Sequence, residues 1–113
     1  MHKDYDKLLN YSFRLLSKKR YTTAEIEKKL KFYSKRRSIK EKENIPKVLE
    51  RLCELKYLND EDYARDFVKS RTMFKPRGKI LIRRELLMKG LKNELVNKII
   101  NSEEIDEESM GQI

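Results

Sequence analysis

The sequence predicts an all-α protein made of two tandem three-helix repeats that form an extended helical array. First, two series of apolar residues correspond along the chain: Tyr11, Leu15, Leu16, Ile26 and Leu30 in one, and Tyr63, Phe67, Val68, Ile82 and Leu86 in the other. Second, apolar residues recur at spacings of three and four, as in amphipathic helices. Third, 42% of the residues are charged and only three Gly and two Pro are present, which favours long solvated helices over a turn-rich β-sandwich. Repetition of a small helical unit indicates an array of repeats rather than a single enzyme pocket. The repetition does not determine whether the array is straight or curved.

The first repeat is predicted over residues 4–56. Its first helix follows an apolar stripe and is expected over about residues 4–19. Thr22 can cap the second helix, and Glu25, three residues later, can complete a capping box. The second helix is expected to bury three residues, Ile26, Leu30 and Tyr33.

Residues 34–44 are almost free of apolar side chains, which predicts a mobile basic loop whose edges can extend the neighbouring helices. Asn44 is expected to cap a third helix, with Pro46 in its first turn, where the missing N–H has no partner within the helix. This helix is expected to bury a stripe of five residues, Ile45, Val48, Leu49, Leu52 and Leu55. Cys53 lies beside the stripe, which favours a small core residue over a nucleophile.

The second repeat is predicted over residues 57–101. Asn59 can cap its first helix, and the three acids that follow suit the positive end of the helix dipole. This helix is expected to bury Tyr63, Ala64, Phe67, Val68 and Phe74.

The remaining two helices of this repeat are separated by a glycine turn. The first of them is expected over about residues 79–89, and Gly90 suits the left-handed conformation that ends a helix. Leu91 is then expected to fold back toward Leu86, as in a Schellman motif. A last helix follows, and the acidic residues 102–113 are expected to be disordered or to begin a missing third repeat.

Charge is distributed unevenly along the chain. The net charge is +9, from 28 bases and 19 acids, but residues 103–108 hold five acids and no base. Residues 1–101 therefore combine the 28 bases with 14 acids, a surplus of +14. This surplus predicts attraction to a polyanion, nucleic acid first. The alternative is a lysine-rich surface that charge keeps in solution.

Signals for catalysis, metal and cofactor binding are missing from the sequence. His2 is the only histidine and lies near the terminus, so it is a poor candidate for a positioned base or a metal ligand. The chain has no Cys/His pair for zinc and no glycine-rich phosphate loop. We therefore expect neither an enzyme nor a cofactor. No apolar run reaches the roughly 20 residues of a membrane span, and a single cysteine fits a reducing cytoplasm.

Two readings of a binding surface remain open. Basic clusters occur at residues 18–20, at residues 35–37 and around the first turn of the second repeat, and each can contact nucleic acid or an acidic protein. The last two helices also resemble a helix-turn-helix, whose second helix would read bases through polar side chains, Lys92, Asn93, Asn97, Lys98 and Asn101. An ordinary helical hairpin is the alternative, because that geometry recurs without function.

Two ordered strings carry a family resemblance. The first is Tyr11-x-x-Arg14-Leu15-Leu16-x-x-Lys19-Arg20-x-Thr22-x-x-Glu25-Ile26-x-x-Lys29-Leu30, followed by Val48-Leu49-x-x-Leu52. The second is Leu58-Asn59-Asp60-x-x-Tyr63-Ala64-x-x-Phe67-Val68-x-x-Arg71, then Gly78-x-x-x-Ile82-x-x-Glu85-Leu86-x-x-Lys89-Gly90-Leu91. Together they resemble the RecX family of bacterial recombination regulators over about residues 8–101.

The resemblance implies a function that charge alone does not give. RecX-like proteins are all-helical arrays that bind RecA, lie in the groove of its filament on single-stranded DNA, and inhibit strand exchange and ATP hydrolysis. It implies a non-enzymatic, cytoplasmic modulator of homologous recombination, DNA repair and the SOS response, expected to be monomeric and not bound to a membrane. Family members usually carry a third repeat, and the loop at residues 34–44 looks long and basic for the family.

Candidate site residues are chosen by charge from the second repeat. They are Arg71, Arg77, Lys79, Arg83 and Arg84, proposed to contact the filament or nucleic acid. Replacing all five with Ala is expected to reduce filament binding and leave helicity intact, because none is a predicted core position.

Overall fold

The computed structural model describes residues 2–73 and 78–102, which hold six α-helices and no strand. The helices are α1 (His2–Leu16), α2 (Thr23–Arg37), α3 (Glu41–Glu54), α4 (Asp60–Met73), α5 (Lys79–Met88) and α6 (Asn93–Ser102). The predicted all-α fold is confirmed. The chain divides between Asn59 and Asp60 into two compact units of three helices each. Within the described ranges, no helix has the length and apolar character needed to span a membrane.

The first unit is built around α3, which packs against both α1 and α2. Its core is formed by buried aliphatic residues, Leu8, Ile26, Leu30, Ile39, Ile45, Val48, Leu52 and Leu58. Tyr11 of α1 and Tyr33 of α2 stack at the edge of this core, with ring centroids 4.1 Å apart. Burial of these side chains supplies most of the stability that this short unit has, because apolar area removed from water is the main favourable term in folding.

The start of α2 is fixed by the predicted capping box. Thr22 Oγ1 accepts a hydrogen bond from the Glu25 backbone N–H at 3.2 Å, and the Thr22 N–H donates to Glu25 Oε1 at 2.9 Å. Two backbone N–H groups near the helix start thereby gain partners. Because Thr22 is fully buried, water cannot easily replace this cap.

The prediction of a loop over residues 34–44 is wrong for most of that segment. The helix α2 continues through the basic run to Arg37 and ends at Ser38, whose φ of 54° is left-handed. Lys and Arg are good helix formers, and cations at a helix C-terminus interact favourably with its dipole, so the absence of apolar residues did not end the helix. The chain then needs only two more residues before α3 begins at Glu41.

The start of α3 also differs from the sequence-based expectation. Lys40 is the N-cap, and Asn44 lies inside the helix, where its Nδ2 donates to the Lys40 carbonyl at 2.9 Å. Pro46 is the sixth residue of the helix rather than a first-turn residue. The helix therefore forgoes one backbone hydrogen bond at Pro46.

Two predictions about burial at the end of α3 are wrong. Leu55 is 38% exposed, and Cys53 is exposed as well. After them Lys56 adopts a φ of 65°, and the Leu58 N–H donates to the Leu52 carbonyl at 3.3 Å. This reversal brings Leu58 back onto the core, so Leu58 is buried while Leu55 faces solvent.

The second unit is built around α6, which packs against α4 and α5. Its core is again formed by buried aliphatic residues, Ala64, Val68, Ile82, Leu86, Leu91, Val96, Ile99 and Ile100. At the end of α5, Gly90 has a φ of 88° and the Leu91 N–H donates to the Leu86 carbonyl at 3.3 Å. The predicted glycine-terminated helix end is confirmed. Phe74, which was predicted to be buried, lies outside the described residues.

The two units differ where their second helices end. With the offset of 56 residues that aligns Ile26 with Ile82, Gly90 corresponds to Ser34. Ser34 is fully buried within α2, and the helix runs one turn further before it ends. The extra turn carries Lys35, Arg36 and Arg37, so this basic cluster is helical rather than part of a loop.

Candidate functional site

The outer side of α5 exposes three large apolar side chains. Ile80, Leu81 and Met88 are 76%, 45% and 80% exposed. An open surface groove is lined by five residues of this helix, Ile80, Arg83, Arg84, Leu87 and Met88, which we call the α5 face. Apolar surface that is rimmed by charged groups is typical of a site that binds another molecule.

Three of the five predicted site residues lie on α5. Lys79 is the first residue of the helix, Arg83 is half-buried, and Arg84 is exposed. Both arginines line the groove. The structure therefore brings these three cations onto one helix, next to apolar side chains that the charge-based choice did not include. Arg77 lies outside the described residues.

Arg71 has a different environment. It lies on α4, where its Nε donates to Glu85 Oε2 of α5 at 3.1 Å. Its guanidinium carbon is 4.3 Å from the centroid of the Phe67 ring. Because Arg71 links α4 to α5 within its own unit, its replacement affects folding as well as any binding.

Sequence reasoning missed the exposed apolar side chains, although a signal was present. Positions 80–82 and 86–88 of α5 are all apolar, which is more than one buried stripe requires. Ile82 and Leu86 are buried, and that leaves Ile80, Leu81 and Met88 on the exposed side. An amphipathic helix with a surplus of apolar residues indicates a second contact surface.

An ion-pair cluster joins α4 to α6 in the second unit. Lys98 Nζ lies 3.0 Å from Glu61 Oε1, and Arg65 Nη2 lies 3.1 Å from Glu61 Oε2. The hydrogen bond from Lys98, followed by the one from Arg65, lowers the pKa of Glu61 below its ordinary value of 4.5. Both cations favour the charged carboxylate.

These contacts bear on the helix-turn-helix reading of α5 and α6. Lys98 is engaged with Glu61, and Oδ1 of Asn97 is buried. Lys92, Asn93 and Asn101 are exposed. One of the five side chains expected to read bases is thus paired with α4 and another has its amide oxygen buried, which weakens this reading, and direct base recognition by α6 stays a prediction.

The outer side of α2 in the first unit combines cations with an exposed aromatic ring. Phe32 is 65% exposed, and the guanidinium carbon of Arg36 lies 5.9 Å from the centroid of its ring. Lys28 and Lys35 are exposed one turn before and about one turn after Phe32. We call these four residues, Lys28, Phe32, Lys35 and Arg36, the α2 face.

Other aromatic rings of the first unit also lie beneath cations. The Nζ atoms of Lys19 and Lys29 lie 4.8 Å and 5.4 Å from the centroid of the Tyr21 ring. The guanidinium carbon of Arg37 lies 4.8 Å from the centroid of the Tyr33 ring.

Among residues 2–73 and 78–102, no group of three or more His, Cys, Asp or Glu residues is arranged to hold a metal ion.

Comparison with known proteins identifies the family. Residues 59–107 match the family model described as RecX, second three-helix domain. The chain is 37% identical over 97 residues to the regulatory protein RecX of Prosthecochloris aestuarii, covering 86% of this chain and 61% of that protein. It is 36% identical over 98 residues to the regulatory protein RecX of Chlorobium phaeobacteroides, covering 87% and 62%.

A solved structure has the same fold. The crystal structure of RecX from Lactobacillus salivarius superposes with a TM-score of 0.81 at 24% identity, covering 89% of this chain and 62% of that one. The chain spans about three-fifths of the length of these relatives. The ordered motifs, the two three-helix units and these matches agree, and the chain belongs to the RecX family of regulatory proteins.

Proposed function

We propose that this chain regulates the RecA recombinase by binding the RecA filament on single-stranded DNA and inhibiting strand exchange and ATP hydrolysis. Membership of a family of regulatory proteins supports a binding role rather than catalysis. The RecA partner follows from the family resemblance of the sequence. The observation that carries the proposal in this chain is the exposed, arginine-rimmed α5 face.

The composition of the α5 face fits a protein partner. Met and Arg are enriched in the central parts of protein interfaces, and aliphatic side chains that insert into a partner remove their area from water. Ile80 and Met88 are the two most exposed large apolar residues of the described chain. Arg84 lies between them on the same side of the helix, where it can form a hydrogen-bonded pair with a carboxylate of the partner.

The proposed contact residues are therefore Lys79, Arg83 and Arg84 together with Ile80 and Met88. Arg77 stays a prediction from charge. Arg71 is proposed to act mainly within its own unit, because it is engaged with Glu85 and Phe67.

The experiment measures ATP turnover by RecA on single-stranded DNA as the chain is added. We expect inhibition by the unmodified chain, and we expect Arg84→Glu to weaken inhibition at least tenfold, since the reversed charge would repel a partner carboxylate that pairs with Arg84. Lys69→Glu is the matched control, because Lys69 is an exposed cation on α4 of the same unit. It should leave inhibition within about twofold.

Two results would contradict the proposal. The absence of inhibition and of filament binding at stoichiometric excess of the unmodified chain would reject RecA as the target. Equal losses in Arg84→Glu and Lys69→Glu would show that net charge, rather than the α5 face, determines binding. Ile80→Ser provides a further check that does not alter charge, and it should also weaken inhibition.

A further inference from the structure

The α2 face has the chemistry of a surface that binds a nucleic-acid strand. Its four residues lie at positions i, i+4, i+7 and i+8 of the helix, which fall on one side. The exposed aromatic ring of Phe32 has Lys28 on one side along the helix and Lys35 and Arg36 on the other. The described chain contains no other exposed Phe.

Bases outnumber acids along the whole of α2, and three of its bases, Lys28, Lys35 and Arg36, belong to the α2 face. The helix α2 has six bases and two acids. Glu25 is engaged in the capping box, and Glu27 Oε2 lies 3.7 Å from Lys31 Nζ. Glu27 lies on another side of the helix, and Glu25, one turn before Lys28, has its carboxylate hydrogen-bonded to the Thr22 N–H, so positive charge surrounds the ring.

We propose that the α2 face binds single-stranded nucleic acid, with a base stacked on Phe32 and neighbouring phosphates contacting Lys28, Lys35 and Arg36. Proteins that bind single strands without sequence preference combine a basic track with aromatic rings, because every base has a flat face. In a duplex these base faces are covered by the neighbouring pairs, so an exposed ring favours the single strand. The inference goes beyond RecA regulation, since this contact needs no RecA.

The α2 face and the α5 face differ in composition, and the difference indicates which of them suits a nucleic acid and which a protein. At the offset of 56 residues, Phe32 corresponds to Met88 and Lys28 to Arg84. Two neighbouring positions differ: α5 has the exposed Ile80 and the partly buried Leu87 where α2 has the partly buried Ala24 and the exposed Lys31. An aliphatic neighbourhood suits a protein pocket, whereas an aromatic ring among cations suits a base and its phosphates.

The ring itself provides the test, because the chain contains no Trp. Phe32→Trp places a single indole on the α2 face, and Met88→Trp places one at the corresponding position of α5. Addition of oligothymidylate, without RecA, should quench the fluorescence of Phe32→Trp by stacking and leave that of Met88→Trp unchanged. Both positions are largely exposed, so neither variant should disturb the fold, and circular dichroism checks this.

Binding affinity gives a second readout. By fluorescence anisotropy with a labelled oligothymidylate, Phe32→Ala should weaken binding about tenfold. Phe32→Leu keeps the apolar area but loses the flat ring, so its loss should be similar, whereas Met88→Ala should bind as the unmodified chain does. Replacing Lys28, Lys35 and Arg36 with Gln should weaken binding and reduce its dependence on salt, because fewer counterions are released.

The outcomes are decisive in both directions. Absent quenching of Phe32→Trp, or unchanged binding by Phe32→Ala, would overturn the proposal. If Phe32→Ala weakens association with the RecA filament but not with the free oligonucleotide, the ring contacts protein and the proposal fails. Because the oligonucleotide assay contains no RecA, its result is independent of the inhibition test with Arg84→Glu.

Discussion

Arg71 of α4 and Glu85 of α5 form an ion pair across the second unit, with Nε and Oε2 3.1 Å apart. Both side chains are only about one-third exposed, at 31% and 28%. The same guanidinium lies over the ring of Phe67. A residue that charge alone assigns to binding therefore links two helices of its own unit.

We expect Arg71→Ala to lower the free energy of unfolding by about 1–2 kcal/mol, through loss of the ion pair and of the cation–π contact. Chemical denaturation followed by circular dichroism measures this. Arg84→Ala is the control, because Arg84 is exposed. It should change stability by less than about 0.5 kcal/mol. Equal stabilities of the two variants would show that the Arg71–Glu85 pair contributes nothing in solution. The variant with all five basic residues replaced should accordingly lose stability along with binding.

A single substitution should measure how much the cap of α2 contributes to the free energy of unfolding. Thr22→Ala removes the oxygen that accepts from the Glu25 N–H, and the hydroxyl site is fully buried. We expect a loss of about 1–2 kcal/mol in unfolding free energy. Thr22→Ser keeps the oxygen and should recover most of the loss. If the serine variant is as unstable as the alanine variant, the methyl group of Thr22, and not the cap, is the important feature.

Stability should fall at low pH partly through Glu61. Its pKa is lowered in the folded state, mainly by the hydrogen bond from Lys98, from an ordinary value of 4.5. The contribution of this carboxylate to the free energy of unfolding is therefore complete above about pH 4.5. It is lost as the pH falls through the lower pKa of the folded state. Glu61→Gln should be less stable than the unmodified chain at pH 7, and the difference should shrink toward pH 3.

Thermal unfolding at several pH values tests this dependence, and salt supplies the control. At about 1 M salt, where the Debye length is about 3 Å, the difference at pH 7 should also become smaller. A difference that stays constant from pH 7 to about pH 3 would mean that the substitution acts through something other than charge.

The end of α2 offers a stabilising substitution. Ser38 has a φ of 54°, and its N–H donates to the Ser34 carbonyl. Gly adopts this conformation without steric cost, so Ser38→Gly should raise the unfolding free energy by about 0.5–1 kcal/mol. Ser70→Gly, in the interior of α4, should lower it by about the same amount. A loss of stability in Ser38→Gly would show that the serine side chain stabilises the helix end.

Local patterns predicted those parts of the fold that depend on local interactions. The capping box at Thr22 and the helix end at Gly90 are specified by a few neighbouring residues, and both are confirmed. The boundaries of residues 34–44 were wrong because a basic segment with little apolar content is compatible with both a loop and a helix. The exposure of Leu55 depends on the reversal at Lys56, which apolar periodicity does not encode.

The candidate site could be predicted only in part from the sequence. Charge selected Arg83 and Arg84, which lie in the groove, but it also selected Arg71, whose partner Glu85 is 14 residues away along the chain. Pairing across helices depends on three-dimensional structure. The exposed Ile80 and Met88 were not chosen, because an apolar residue in a helix is ordinarily expected to be buried.

The extra turn of α2 has a thermodynamic consequence. Ordering a flexible backbone costs about 1–2 kcal/mol per residue, and a basic loop would incur that cost each time it bound a strand. The residues Lys35–Arg37 belong to a helix, so their backbone is already ordered in the free protein. Binding at this end of α2 should therefore lack the large heat-capacity change of coupled folding, which calorimetry can measure. The first unit has Ser34 where the second has the helix-ending Gly90, and its second helix therefore carries a preorganised cationic segment.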